Sequence, residues 1–109
     1  SRDQQTEPDD INSGGRALEA AVRPYARRIA GEPLEMTFDL RRRDFYLAFR
    51  HNPAVEAPTE IYAPNLQYPD GYQVDVSDGE AQIDREAQMV VYHHSLEREI
   101  HNVRIYPTS

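Results

Sequence analysis

The chain has no cysteine, and all 12 of its basic residues are arginine, so it has no lysine either. These absences exclude thiol nucleophiles, disulfides, cysteine-ligated zinc and Schiff-base catalysis. No run approaches the roughly 18 apolar residues of a membrane span, and no charged start with an apolar run follows the N-terminus. We therefore expect a soluble segment, and the start at Ser1 suggests a processed or excised piece.

A dense basic face is also missing. Residues 1–15 hold one basic and four acidic residues, residues 16–50 hold eight and five, and residues 51–109 hold three and ten, for a net charge of -7. Duplex-binding domains need clustered basic residues that release counterions from phosphates. The sequence therefore predicts no nucleic-acid partner. A length of 109 residues with 39% apolar content fits one domain with one core.

Most of residues 34–106 alternate between apolar and polar side chains, which indicates half-buried strands. Turn signals such as Asp78-Gly79 separate the alternating runs. The predicted strands cover residues 34–40, 45–49, 59–62, 72–76, 81–84, 87–93 and 100–105. Short strands with one buried face and one solvent-exposed face predict an all-β fold, an antiparallel β-sandwich of seven or eight strands.

The segment before these strands has a different pattern. Residues 1–15 contain Pro8, adjacent glycines and an acidic cluster, which is typical of a linker or tail. Apolar residues then recur at helical spacing until Pro24 ends or kinks the helix, so we predict a short helix over about residues 13–22. We expect residues 16–30 to be a helical connector and residues 31–109 to be the sandwich. The candidate domain-docking residues in this stripe are Leu18, Val22, Tyr25 and Ile29.

No group of residues forms a convincing catalytic site. A retaining glycosidase needs two carboxyl groups about 5 Å apart on a rigid scaffold, but the acidic residues here fall mostly on the polar phase of strands or in turns. No serine lies in a nucleophile elbow, and no glycine-rich loop could hold a phosphate. We therefore predict no catalytic residue and no cofactor in this chain.

Histidines form the one metal-like grouping in the sequence. If a hairpin joined the strand ending at His93 to the strand containing His101, these two residues would lie opposite each other. A third metal ligand would have to come from Glu97 or Glu99. Cross-strand histidines that pack or bond to the backbone are far commoner, so we predict no metal site.

Two further groups have a structural and a functional interpretation. Tyr62, Tyr68 and Tyr72 lie near prolines and could stack on sugar rings or pack at an interface, although core or inter-domain packing is the commoner role. Residues 41–43 are three consecutive arginines. We favour a solvated turn between two strands over contact with anionic headgroups, which usually involves longer basic clusters.

Several short strings together resemble one family. They are LEAAVRPY at 18–25, IAGEP at 29–33, TEIYAP at 59–64, YPDGY at 68–72 and VSDG at 76–79. Over about residues 8–107 the chain resembles the C-terminal domain of family 5 glycoside hydrolases, closest to endoglycoceramidases and related glucosylceramidases. Ala26 departs from the pattern, where a second proline would be expected after the tyrosine.

The resemblance implies a β-sandwich that follows a catalytic (β/α)8 barrel, with both catalytic glutamates on the barrel and none mapping onto this chain. The predicted helix would be the last barrel helix or a connector against it. The implied role is a non-catalytic accessory domain of a retaining β-glycosidase that cleaves glycolipids. Its implied partners are the barrel of the same polypeptide and, in addition, a glycolipid or membrane surface. The implied location of the protein is secreted or membrane-associated.

Two other hypotheses remain open. The domain could be an autonomous carbohydrate-binding module, or the isolated chain could itself be an enzyme. Exposed aromatic residues distinguish the first from a packing domain, because a binding module presents a flat or grooved row of rings.

Overall fold

The computed structural model describes residues 21–108. Their regular elements are eight β-strands: β1 (Tyr25–Arg28), β2 (Gly31–Asp39), β3 (Asp44–His51), β4 (Thr59–Tyr62), β5 (Tyr72–Val76), β6 (Glu80–Asp84), β7 (Met89–His93) and β8 (Ile100–Pro107). Over these residues, no helix has the length and apolar character needed to cross a bilayer. Because the regular elements of the described residues are all strands, the predicted all-β class is confirmed.

The strands form two four-stranded sheets. The first sheet has the order β1-β4-β7-β6 and the second has the order β2-β3-β8-β5. Every neighbouring pair is antiparallel. The sandwich follows from the alternation in the sequence, because each sheet has one apolar face to bury.

The core fills the space between the two sheets. Its largest fully buried side chains include Phe45, Leu47 and Phe49 of β3, which are the apolar phase of that strand. The remaining core members come mainly from β4, β7 and β8: Ile61, Val90, Tyr92, Val103 and Ile105. Each of these residues lies at the period-two spacing that places alternate side chains on one face of a strand.

Polar side chains and glycines shape the turns. The Asp39 carboxylate accepts hydrogen bonds from the backbone N–H groups of Arg41 and Arg42 at 3.0 and 3.2 Å, which closes the hairpin between β2 and β3. The arginine run is therefore a turn, as predicted. Gly79 has a φ of 68° between β5 and β6, a backbone conformation that L side chains rarely adopt.

The N-terminal predictions need correction where the structure describes them. The expected helix lies outside the described residues except for its last two positions, 21 and 22. Residues 25–28, assigned to a helical connector, form β1 and pair with β4 instead. A register shift between Ala26 and Arg28 explains the error. Tyr25 and Ile29 are four residues apart, which imitates a helical stripe, but Tyr25 is exposed while Ile29 packs against the core.

Candidate functional site

Three histidines, His51, His94 and His101, meet at one end of the sandwich. We call these three residues and Asp78 the histidine end. His51 is the last residue of β3, and His101 is the second residue of β8. Because Phe49 pairs with His101, His51 lies diagonally across from His101 on the same inward face. Both imidazoles therefore occupy positions that the alternation of their strands would give to apolar side chains.

The third histidine reaches this point from the other sheet. His94 directly follows β7, and its ring lies 4.8 Å from the His51 ring in a stacked arrangement and 4.6 Å from the His101 ring. Burial lowers the pKa of His94, and the neighbouring His101 and His51 rings lower this pKa further. The neutral form of His94 is therefore favoured, which leaves one ring nitrogen with a free lone pair.

The rings of the other two histidines are joined by a hydrogen bond. Nδ1 of His51 lies 2.8 Å from Nε2 of His101, and Nδ1 of His101 lies 2.8 Å from the Asp78 carboxylate. An ionised carboxylate only accepts hydrogen bonds, so Nδ1 of His101 carries its proton. In the neutral ring Nε2 then accepts the proton of His51 Nδ1. The His101 side chain is completely buried, which fixes this arrangement.

Asp78 is held in place by the turn between β5 and β6 and by the connection after β7. The Ser77 hydroxyl donates to its carboxylate at 2.6 Å, and the Ser95 backbone N–H donates at 2.7 Å. Burial raises the pKa of Asp78, but the hydrogen bonds from Ser77, His101 and Ser95 outweigh this effect and hold the pKa well below its usual range. The carboxylate is therefore ionised and orients His101.

The structure corrects the histidine pair considered from the sequence. β7 and β8 belong to different sheets, so no hairpin places His93 opposite His101. The His93 side chain is exposed, and His94 turns inward instead. Glu99 forms an ion pair with Arg50 at 2.7 Å, and Glu97 is exposed. Sequence reasoning missed His51, although it continues the Phe45, Leu47, Phe49 alternation and thus falls on the buried phase.

The three candidate tyrosines have different environments. Tyr68 is fully buried and Tyr72 is 8% exposed, and their rings contact each other at 5.1 Å in the core. Neither ring presents a face that a sugar could stack on. Tyr62 is half-buried, and its ring lies 5.5 Å from that of Tyr25.

The four candidate docking residues also differ in their environments. Leu18 lies outside the described residues. Val22 is half-buried, and its carbonyl accepts a hydrogen bond from the buried Gln67 side chain at 3.1 Å. Ile29 packs against the core of the sandwich. Tyr25 is 46% exposed, so it is the one of the three described residues that presents a large open surface.

Tyr25 belongs to an apolar row across the first sheet. It pairs with Tyr62, and Tyr62 pairs with Met89, so the three side chains lie side by side on β1, β4 and β7. Ile61 and Val90, one position away, are buried in the core. The row therefore occupies the outward face of the sheet. We call Tyr25, Tyr62 and Met89 the β1 edge row.

A groove lies beside this row. It has a volume of about 200 Å³, and its lining includes Tyr25 together with Met36 and Phe38 of β2. Met36 is 48% exposed, and its sulfur accepts the backbone N–H of Ala26 at 3.4 Å. Open apolar surface is thus continuous from β1 to the neighbouring edge strand.

Comparison with known proteins identifies relatives of the sandwich. The family model of the glycoside hydrolase family 5 C-terminal domain matches residues 23–105. Endoglycoceramidase I of Rhodococcus hoagii (strain 103S) is 48% identical over 60 residues, which are 54% of this chain and 12% of that protein. Glucosylceramidase of Rhizopus delemar is 32% identical over 87 residues, which are 79% of this chain and 13% of that protein. The chain spans about an eighth of the length of these relatives.

The same architecture is found in solved structures. Endo-glycoceramidase II from Rhodococcus sp., in its ganglioside GM3 complex, matches with a TM-score of 0.70 and 24% identity, over 86% of this chain and 20% of that chain. Sterylglucosidase 1 of Cryptococcus neoformans matches with a TM-score of 0.75 and 23% identity, over 86% of this chain and 14% of that chain. Likeness at this level of identity establishes a shared fold.

Proposed function

The chain belongs to the glycoside hydrolase family 5 C-terminal domain family, and from this premise we propose that it is a non-catalytic accessory domain that packs on the catalytic barrel of the same polypeptide. The small share of each relative that it spans supports this proposal, because most of each relative lies outside the matched region. The relatives are named endoglycoceramidase and glucosylceramidase. We therefore propose that the whole protein is a retaining β-glycosidase that cleaves glycolipids.

The observation that carries the docking proposal is the β1 edge row. Tyr25 is the first residue of β1, directly after the segment through which the chain enters the sandwich. A barrel connected through that segment would lie next to this edge of the sheet. Large apolar side chains left open beside an entry point are typical of an interface, and covering them removes apolar area from water.

The same row argues against an autonomous carbohydrate-binding module. The rings of Tyr25 and Tyr62 are tilted by 55° to each other, so they do not form a flat platform for a sugar ring. Tyr68 and Tyr72 are enclosed in the core. The described tyrosines with open surface are better suited to packing against irregular side chains of a neighbouring domain.

A single substitution in the full-length polypeptide tests this docking surface. Tyr25→Ser removes a side chain that is 46% exposed, and Ile83→Ser removes one that is 48% exposed on β6, the opposite edge of the same sheet. We expect Tyr25→Ser to lower the Tm of the full-length protein by several degrees and Ile83→Ser to leave it nearly unchanged. In the isolated 109-residue chain both substitutions should have small and similar effects. Equal Tm shifts of the two variants in the full-length protein would contradict docking at this edge.

Activity measurements test the accessory role. With Tyr25→Ser, cleavage of a glycolipid in vesicles should fall more than cleavage of a soluble aryl glycoside, because the reacting centre contacts barrel residues while the accessory domain affects the approach of a large substrate. Equal loss on both substrates would contradict the role in approach. The isolated chain should not hydrolyse a fluorescent glucosylceramide, and turnover by that chain would overturn the non-catalytic assignment.

A further inference from the structure

Beyond the accessory role, we propose that His51, His94 and His101 form a binding site for a transition-metal ion of the Zn²⁺ class that connects the two sheets. One ligand nitrogen from each of the three imidazoles lies within 4.8 Å of the other two. Imidazole nitrogen suits zinc, copper and nickel, whereas magnesium and calcium prefer oxygen ligands. Three protein ligands leave a fourth position for water or another group.

The distances are close to those that a metal ion needs. Zinc–nitrogen bonds of about 2.0–2.1 Å in a tetrahedral site place ligand atoms about 3.3 Å apart. His51 Nδ1 and His101 Nε2 lie 2.8 Å apart, so they need to separate by only about half an ångström. When the metal binds His51 through Nδ1, the proton of this bond is replaced by one on Nε2, because a neutral imidazole coordinates through its unprotonated nitrogen.

His94 needs the larger movement. Its ring is stacked on that of His51 with 15° between the planes, so the ring must turn to direct a nitrogen toward the other two ligands. His94 lies just beyond the end of β7, outside any strand. A side chain at such a position can rotate without disturbing the pairing of a strand.

Asp78 supplies the outer-shell contact that metal-binding histidines usually have. Its carboxylate accepts the Nδ1 proton of His101 at 2.8 Å. This contact fixes the tautomer that leaves Nε2 available to the metal, and such carboxylate–histidine pairs orient the ring and increase its basicity. Ser77 and Ser95 in turn hold the carboxylate. The sandwich therefore preorganises one ligand completely.

An entry route lies beside His51. This residue lines an open groove of about 390 Å³ together with Glu32, Arg50 and Asn52. His51 and His94 are both partly exposed, so a hydrated ion can reach them while His101 forms the buried floor of the site.

Binding should stabilise the fold because the ligands come from both sheets. His51 and His101 lie on β3 and β8 of the second sheet, and His94 follows β7 of the first sheet. A metal that binds only the folded arrangement raises stability in proportion to the logarithm of its concentration over Kd. The expected result is a Tm that increases with zinc concentration.

The test uses the untagged, metal-free 109-residue chain. Titration calorimetry with Zn²⁺ should give one strong site per chain, and the Tm should rise by several degrees at about 100 times Kd. Mg²⁺ should change neither signal. Ring resonances of His51, His94 and His101 in NMR spectra should shift on zinc addition, and those of His93 should not.

Matched variants separate this site from other zinc-binding groups. His94→Gln and His51→Gln remove partly exposed ligands and should weaken zinc binding at least about 100-fold, with folding checked by circular dichroism. His93→Gln, at the adjacent exposed position, should bind as the unsubstituted chain does. Asp78→Asn should weaken binding about 10–100-fold. Zinc affinity that is absent, or that is unchanged in His94→Gln, would overturn the proposal.

Discussion

The histidine end and the β1 edge row place aromatic side chains in opposite environments. At the histidine end, His101 is fully buried, and a chain of hydrogen bonds from His51 through His101 to Asp78 satisfies its ring nitrogens. At the β1 edge row, Tyr25 is 46% exposed and its ring contacts that of Tyr62. The ring nitrogens of His101 have hydrogen-bond partners within the sandwich, whereas the second region leaves apolar surface exposed.

The difference shows how one fold divides stability and interaction between its parts. Buried polar groups stabilise a fold only when they have partners, and leaving one unpaired costs about 1–3 kcal/mol. Exposed apolar side chains add little to the stability of the domain that carries them, and they stabilise an interface when a partner covers them. Substitutions at the histidine end should therefore affect the isolated chain more than substitutions at the β1 edge row.

The largest expected effect comes from the turn that carries Asp78. Gly79 has a φ of 68°, and a Cβ at this position would collide with the carbonyl oxygen of His93. Gly79→Ala should therefore lower the free energy of unfolding by more than about 3 kcal/mol, because the strain of a left-handed backbone, about 1–3 kcal/mol, adds to the cost of the collision. The free energy of unfolding in urea measures this loss.

Gly71→Ala is the matched control for this substitution. Gly71 also has a positive φ, of 99°, but the nearest atoms that its Cβ would meet are side-chain atoms of Arg85 and Thr108 at 3.4 and 3.5 Å. In this variant the free energy of unfolding should fall only by the cost of the backbone strain. A loss for Gly71→Ala equal to that for Gly79→Ala would show that the contact with His93 contributes nothing.

A smaller effect is expected from removing one hydroxyl at each region. The Tyr92 hydroxyl donates a hydrogen bond to the backbone carbonyl of Asp78 at 2.8 Å from a fully buried side chain. Tyr92→Phe leaves this carbonyl without that donor, so we expect a loss of about 1–2 kcal/mol. Tyr62→Phe changes a half-buried ring in the β1 edge row and should alter stability by less than about 0.5 kcal/mol. Similar losses for the two variants would remove the distinction between the regions.

The smallest effect is expected from an ion pair outside both regions. Arg104 contacts the Asp44 carboxylate through two nitrogens at 2.9 and 2.7 Å, on a partly exposed surface. The hydrogen bond from Arg104 lowers the pKa of Asp44, burial raises it, and the positive charge of Arg104 lowers it further, so the pKa stays below its usual 3.8. Because exposed pairs contribute little, Asp44→Asn should lower the Tm by a few degrees at most at pH 7.

The pH dependence of this variant follows from the direction of the shift. Below pH 3.8 the unfolded state takes up a proton at this carboxyl before the folded state does, so the contribution is fully present above 3.8 and is lost as the pH falls through the lower folded pKa. Asp44→Asn should therefore reduce the loss of Tm between pH 4 and pH 2. An unchanged acid profile in Asp44→Asn would contradict the shift.

Much of the fold was predictable from local pattern. Alternation located seven of the eight strands, and the prediction for β4 has the observed bounds, Thr59–Tyr62. Turn chemistry also succeeded, since the carboxylate of Asp39 organises the arginine turn. β1 was missed because the register shift after Ala26 breaks the period of two.

The histidine end was less predictable because its members come from distant parts of the chain. Alternation places His51 and His101 on the buried phase of their strands, so their inward direction is a property of the sequence. The alternation does not predict that β3 and β8 are neighbours, or that β7 lies in the opposite sheet. A hairpin between adjacent strands was the simpler expectation, and it selected His93 where the structure brings His94 inward.

The sequence by itself determined the strand pattern, the turns and the resemblance to the family, because these depend on neighbouring residues and short strings. Only the tertiary structure decided which strands pair, which tyrosines are enclosed and which three histidines meet. The physical reason is that a period of two assigns each side chain to a face, whereas the partner across that face depends on how the two sheets bury their apolar surfaces together.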